Sequence, residues 1–246
     1  LPTGLEVATA AALGVVAALL VHWTRADAPA FALGVAALLA GGALGDRARQ
    51  ASVLARARSF YGAYTVRASP PYHWLQHDTT LHGAQDTRPE GRTHPLTYYH
   101  RAGPLGVLLA HAPRLADPAP RRVAAVGLGT GTVACHGRAG ERWTFLEIDP
   151  LMVRLARDPR LFSYLRDCPP AVDVRVGDAR LSLAADARRA DGPRYDLVVL
   201  DAFSSDAIPT HLLTREALAT YLATLAPDGV LAVHVSNRYL ALVPVV

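Results

Sequence analysis

Two long uncharged stretches open the chain, and short apolar runs separated by turn residues fill the rest. Val7 to Val21 is rich in Ala and Leu, and Ala28 to Gly45 repeats the pattern after the polar link Thr24-Arg-Ala-Asp27. Each stretch approaches the roughly 17–25 residues that cross a bilayer. Trp23 stands where an interfacial aromatic would sit, and Arg47, Arg49, Arg56 and Arg58 follow the second stretch. The excess of arginine on that side predicts a transmembrane hairpin whose link faces outward and whose remainder is cytoplasmic. A buried, Ala-rich helical pair is the alternative. From Phe60 to Gln85, aromatic and β-branched residues among turn formers such as Ser69-Pro-Pro71 predict short strands of a small β unit.

Beyond Arg122 the period changes repeatedly. Apolar runs at Val123–Val126, Trp143–Ile148, Val172–Val176, Tyr195–Leu200 and Val230–Val235 predict buried strands. Segments near Thr132–His136, Leu151–Arg157, Ala179–Arg188 and Thr214–Leu225 predict the helices between them, with Pro227-Asp-Gly229 closing the last. Such alternation implies an α/β fold, a Rossmann-like parallel sheet with helices on both faces. The expected organisation is a membrane hairpin over 1–46, a basic linker over 47–59, a small β unit over 60–102 and a Rossmann-like nucleoside-binding catalytic domain over 103–246. The chain begins with Leu and stops soon after its last apolar run, so both ends read as cut and the catalytic domain as truncated.

Composition narrows the chemistry. All 25 basic residues are Arg, which excludes a Schiff-base lysine and a phosphate loop that needs one. A net charge of +4, without a stripe of basic and aromatic residues, argues against nucleic acid. Cys135 and Cys168 have no motif spacing and read as inert thiols in a reducing compartment. The histidines between His73 and His100 lack metal-ligand spacing, so no metal site is expected.

The chemistry concentrates at strand ends, where ligands of open α/β sheets bind. Val123-Ala-Ala-Val-Gly-Leu-Gly-Thr-Gly-Thr132 is a buried strand running into a glycine turn, which lets main-chain N–H groups approach a nucleoside. Roughly 20 residues on, Glu147 ends the next run, the spacing of a carboxylate that holds ribose hydroxyls. Asp178 and Asp201 end two later runs. Asp178 reads equally well as a helix N-cap.

Gly127-Leu-Gly-Thr-Gly-Thr132, Glu147-Ile-Asp149, Gly177-Asp-Ala179 and the segment from Asp201 to Asp206 resemble the spermidine synthase family of polyamine aminopropyltransferases. Leu81-His-Gly-Ala-Gln85 and Tyr98-Tyr-His100 are similar to two further segments of that family. With its hydrophobic lead, the chain looks most like the membrane-fused spermidine synthase-like proteins of bacteria. The resemblance implies transfer of an aminopropyl group from decarboxylated S-adenosylmethionine to a diamine such as putrescine, giving a polyamine and methylthioadenosine, without a metal. Gln85, Glu147, Asp178 and Pro209 would contact the nucleoside, with the turn of Gly127, Gly129 and Thr130 and with Ala179 beside them. Asp201 would accept the proton of the attacking amine. Tyr99, His100 and Asp206 would line the amine channel. A homodimer is compatible with the resemblance. Thr130 stands where the family has Asp, and Arg101 where it has Glu. These departures keep open an S-adenosylmethionine-dependent methyltransferase and a non-catalytic nucleoside-sensing domain.

Overall fold

The computed structural model describes residues 17, 22–23, 27–112, 119–202 and 209–235, with backbone alone for 41–51. The chain divides into two compact units, Leu1–Ser52 and Val53–Val246. The first contains helix α1 (Ala28–Ala51). Its sequence turns charged at Asp46, Arg47 and Arg49, leaving fewer than the about 20 consecutive apolar residues a span needs. Among the described residues no helix is long and apolar enough to cross a membrane. The predicted multi-pass membrane location, the membrane as partner and the cytoplasm-facing topology derived from them are therefore withdrawn. The first predicted span, Val7 to Val21, lies outside the described residues apart from Ala17.

The second unit begins where a basic linker was expected. Strand β1 (Val53–Ser59) occupies most of it, because Leu54, Arg56 and Arg58 alternate outward while Ala55 and Ala57 pack on the core. It opens a four-stranded antiparallel meander with β2 (Gly62–Ser69), β3 (Tyr72–His77) and β4 (Thr80–Asp86), ordered as in the sequence. A 3-10 turn (Thr97–Tyr99) and helix α2 (Pro104–His111) lead into the larger sheet.

That sheet is parallel throughout, with order β7-β6-β5-β8-β9. Its strands are β5 (Arg122–Val126), β6 (Arg142–Glu147), β7 (Ala171–Val176), β8 (Tyr195–Leu200) and β9 (Leu225–Val233). A 3-10 helix (Thr132–His136) follows β5 and helices α3 (Pro150–Arg157) and α4 (Tyr164–Asp167) follow β6. Helix α5 (Ala179–Arg188) follows β7 and α6 (Arg215–Thr224) follows β8. The strand order reverses between β5 and β8, so the tips of those two strands form the switch point of the sheet.

Alternation along the strands builds two cores. Val123, Ala125, Phe145, Leu197 and Val199 face the small sheet, α2 and α3, packing with Val66, Leu75, Leu109 and Leu155. Ala124, Val126, Leu146, Val198 and Leu200 face α5 and α6, packing with Leu183, Ala217 and Tyr221. Asp149, Asp178 and Thr214 cap α3, α5 and α6 by accepting the N–H groups of Leu151, Leu181 and Ala217. Each cap satisfies an otherwise orphaned donor, and Pro150 at the first helical position reinforces the start of α3.

Two local expectations change. Pro227-Asp-Gly229 lies inside β9 rather than ending α6, with Asp228 at φ 62° where the ladder shifts register. Cys135 and Cys168 are joined as a disulfide, their Cα atoms 4.9 Å apart, so they are not free thiols. The folding of α4 back onto the 3-10 helix after β5 brings together residues 33 apart in sequence.

Candidate functional site

The tips of β5, β6, β7 and β8 surround one cavity of about 340 Å³, within the range of small-molecule sites. Gly127, Gly129, Glu147, Asp178, Ala179, Asp201 and Pro209 all line it. The structure thus gathers the glycine turn and three strand-end acids around a shared hollow. The opposite wall is aromatic: Tyr61, Tyr64, His77 and His82 come from the small sheet, Tyr98 and Tyr99 from the 3-10 turn before α2.

The glycine turn has its shape for a stated reason. Gly127 has φ 94°, in the left-handed region that side chains avoid. A Cβ there would run into the Asp201 carbonyl oxygen. Asp201 in turn donates its backbone N–H to the Val126 carbonyl at 2.9 Å, so the tips of β5 and β8 are drawn together.

Glu147 is buried and lies across the turn. Its Oε2 accepts the Leu128 N–H and its Oε1 the Asp149 N–H, each at 2.9 Å. Burial raises its pKa, opposed by those backbone bonds. Each carboxylate oxygen has a second lone pair, so an oriented acceptor remains for hydroxyl donors. Asp178 is both N-cap and cavity residue. Its Oδ1 accepts the Leu181 N–H at 3.0 Å while Oδ2 lies 3.3 Å from His211 Nε2.

Asp201 is nearly enclosed, with 6% of its side chain exposed, and its Oδ1 lies 2.6 Å from Nδ1 of His234. The His234 ring is 5.1 Å from that of Tyr98, which lies 4.4 Å from Tyr99. Burial, and secondarily the Asp201 carboxylate, push the Tyr98 phenol well above its usual range, so it keeps its proton. Tyr64 is raised likewise by burial and by its bond to Asp149.

Several expected residues are placed elsewhere. Gln85 is buried, but its amide is committed to the neighbouring loop: Nε2 donates to Arg92 O and Ser163 Oγ, both at 2.8 Å, and Oε1 accepts from Ser163 N. Thr130 is buried against the small sheet, where a Cβ on Gly83 would come within 2.8 Å of Thr130 Cγ2. His100 is exposed and outside the cavity wall. Arg101 turns away and donates to the Cys135 carbonyl at 3.0 Å, so its charge does not line the cavity. Asp206 lies outside the described residues. Tyr98, His77, His82, His211 and His234 were not anticipated. Tyr98 and His82 had a signal, their places in Tyr98-Tyr-His100 and Leu81-His-Gly-Ala-Gln85, whereas His77, His211 and His234 had none that sequence spacing shows.

Comparison with known proteins fits the fold. No family model matches the chain. The polyamine aminopropyltransferase of Vibrio vulnificus is 34% identical over 125 residues, 49% of this chain and 39% of that protein. A probable spermidine synthase from Corynebacterium glutamicum superposes with a TM-score of 0.55 at 19% identity, over 73% of this chain and 62% of that one. The chain is thus similar in sequence to polyamine aminopropyltransferases and in fold to spermidine synthases. A further spermidine synthase, solved with the transition-state analogue AdoDATO, aligns with a TM-score of 0.52 at 18% identity, over 74% of this chain and 57% of that one. The chain spans less than half the length of the polyamine aminopropyltransferases it matches.

Proposed function

We propose that this chain binds the nucleoside of decarboxylated S-adenosylmethionine across the strand tips and transfers its aminopropyl group to a small amine such as putrescine. The observation that supports this most is the convergence of the glycine turn, Glu147, Asp178 and Asp201 on one cavity. Backbone N–H groups of the turn and the Glu147 carboxylate suit a nucleoside with two ribose hydroxyls. Asp178 suits an exocyclic amine of the base. Asp201 lies at the switch point, facing the aromatic wall.

The chemistry follows from charge. An aliphatic amine with a pKa near 10.4 is mostly protonated at neutral pH and cannot attack. Asp201 binds the ammonium form, orients it and takes its proton. The freed nitrogen lone pair forms the new N–C bond at the carbon beside the sulfonium. The C–S electrons return to sulfur, so the sulfonium charge is neutralised and methylthioadenosine leaves. The aromatic wall excludes water and presents ring faces that attract the cationic ends of an amine.

The test is turnover of putrescine with decarboxylated S-adenosylmethionine by the purified protein, followed as methylthioadenosine and spermidine by mass spectrometry. Formation of both products supports the proposal. Absence of products, with calorimetry showing tighter binding of intact S-adenosylmethionine, would move the assignment to methyl transfer.

A further inference from the structure

The parallel pairing of β8 with β9 places Leu200 opposite Val233, so the next residues, Asp201 and His234, leave the ladder side by side. His234 donates its backbone N–H to the Leu200 carbonyl at 2.9 Å, which extends the ladder one step beyond β9. The two side chains meet at 2.6 Å, with the carboxylate almost enclosed and the imidazole 28% exposed. An imidazole facing a carboxylate at that distance carries its proton on the facing nitrogen, so Nδ1–H donates to Oδ1. Tyr98 lies on the ring at a 38° interplanar angle and is itself packed on Tyr99.

We propose that His234 is a positioning residue for Asp201: the imidazole holds one carboxylate oxygen so that the other faces the incoming amine, and Tyr98 holds the imidazole in place. The inference rests on the aminopropyl-transfer reading, because it takes Asp201 as the group that meets the amine. An unheld carboxylate at a strand tip rotates about its terminal bond and presents either oxygen at varying angles. Fixing one oxygen removes that freedom before the amine arrives, and small misplacements of a reacting group cost large factors in rate. The bond also occupies the lone pair an ammonium group would otherwise straddle. The amine is thereby directed to a single oxygen and its nitrogen to a single approach. Asp201 loses its proton to solvent after the amine has attacked, with the His234 bond intact throughout.

Three variants separate the parts of this arrangement. His234→Phe keeps a ring beside Tyr98 and removes the donor. His234→Asn restores a donor close to the Nδ1 position. Tyr98→Leu keeps the donor and removes the stacked ring. At saturating decarboxylated S-adenosylmethionine, His234→Phe is expected to lower kcat by about 10- to 100-fold. Its methylthioadenosine affinity, measured by calorimetry, should stay within about twofold because the nucleoside contacts are elsewhere. His234→Asn should recover about tenfold of the loss, and Tyr98→Leu should fall between the two. Wild-type kcat in His234→Phe, or equal loss in His234→Phe and His234→Asn, overturns the proposal. If the wild-type protein binds methylthioadenosine but converts no amine, the transfer reading fails and the pair is judged by nitrogen-15 NMR of histidine. A protonated, hydrogen-bonded Nδ1 on His234 that disappears in Asp201→Asn supports the held carboxylate, and absence of that signal in the wild type refutes it.

Discussion

Acid should open the wall behind the site through a single side chain, His136. This residue is buried in the 3-10 helix after β5, where its Nε2–H donates to the Tyr99 carbonyl at 2.7 Å. Burial first, then the Arg101 and Arg121 guanidinium groups, push its pKa down from 6.5 to about 4. The unfolded chain takes up a proton near pH 6.5, whereas the folded chain refuses it until about pH 4. The stabilisation is therefore complete above 6.5 and is lost as pH falls through about 4. A depression of that size is worth about 3 kcal/mol. Urea unfolding, followed by fluorescence of the buried Trp143, measures it at pH 7 and pH 4 for the wild type and for His136→Gln. The glutamine keeps a donor for Tyr99 and does not titrate. The wild type should lose about 3 kcal/mol more than the variant over that interval. Equal losses in the two proteins would refute a neutral, buried His136.

Two other expectations concern the site and its support. Glu147→Ala removes the oriented acceptor opposite the glycine turn and should weaken methylthioadenosine binding by about 2 kcal/mol, roughly 30-fold, in calorimetry; unchanged affinity would show that the nucleoside does not use this acid. Reducing the Cys135–Cys168 disulfide, which closes a separation of 33 residues, should lower unfolding free energy by about 4 kcal/mol. A denaturation midpoint insensitive to dithiothreitol would contradict that.

The larger sheet was legible because buried parallel strands are continuous apolar runs and each ends in a residue that breaks the run. Val123–Val126 into Gly127, and Tyr195–Leu200 into Asp201, are read directly from the chain. Strand β1 is hard to read from the chain because Arg56 and Arg58 also suit the basic flank of a membrane span, which masks the two-residue period of Ala55 and Ala57. The Asp201–His234 contact was not legible, since it depends on β9 lying next to β8 in the sheet. Gln85 lies in β4 as part of the predicted small β unit, but Ser163, 78 residues away, decides what its amide bonds to. The disulfide was hidden for the same reason: the return of α4 is a tertiary event that spacing does not encode.

Floor and ceiling of the cavity belong to different sheets. The floor is made of strand tips fixed by ladder hydrogen bonds, and rings of the antiparallel meander hang over it, joined by Tyr98 and Tyr99 of the 3-10 turn. Mutations at Tyr61, His77 or His82 can therefore reshape one side of the cavity while the ladder that fixes the other side is untouched. On the aminopropyl-transfer proposal, one scaffold changes its acceptor through the upper half alone and keeps its nucleoside donor.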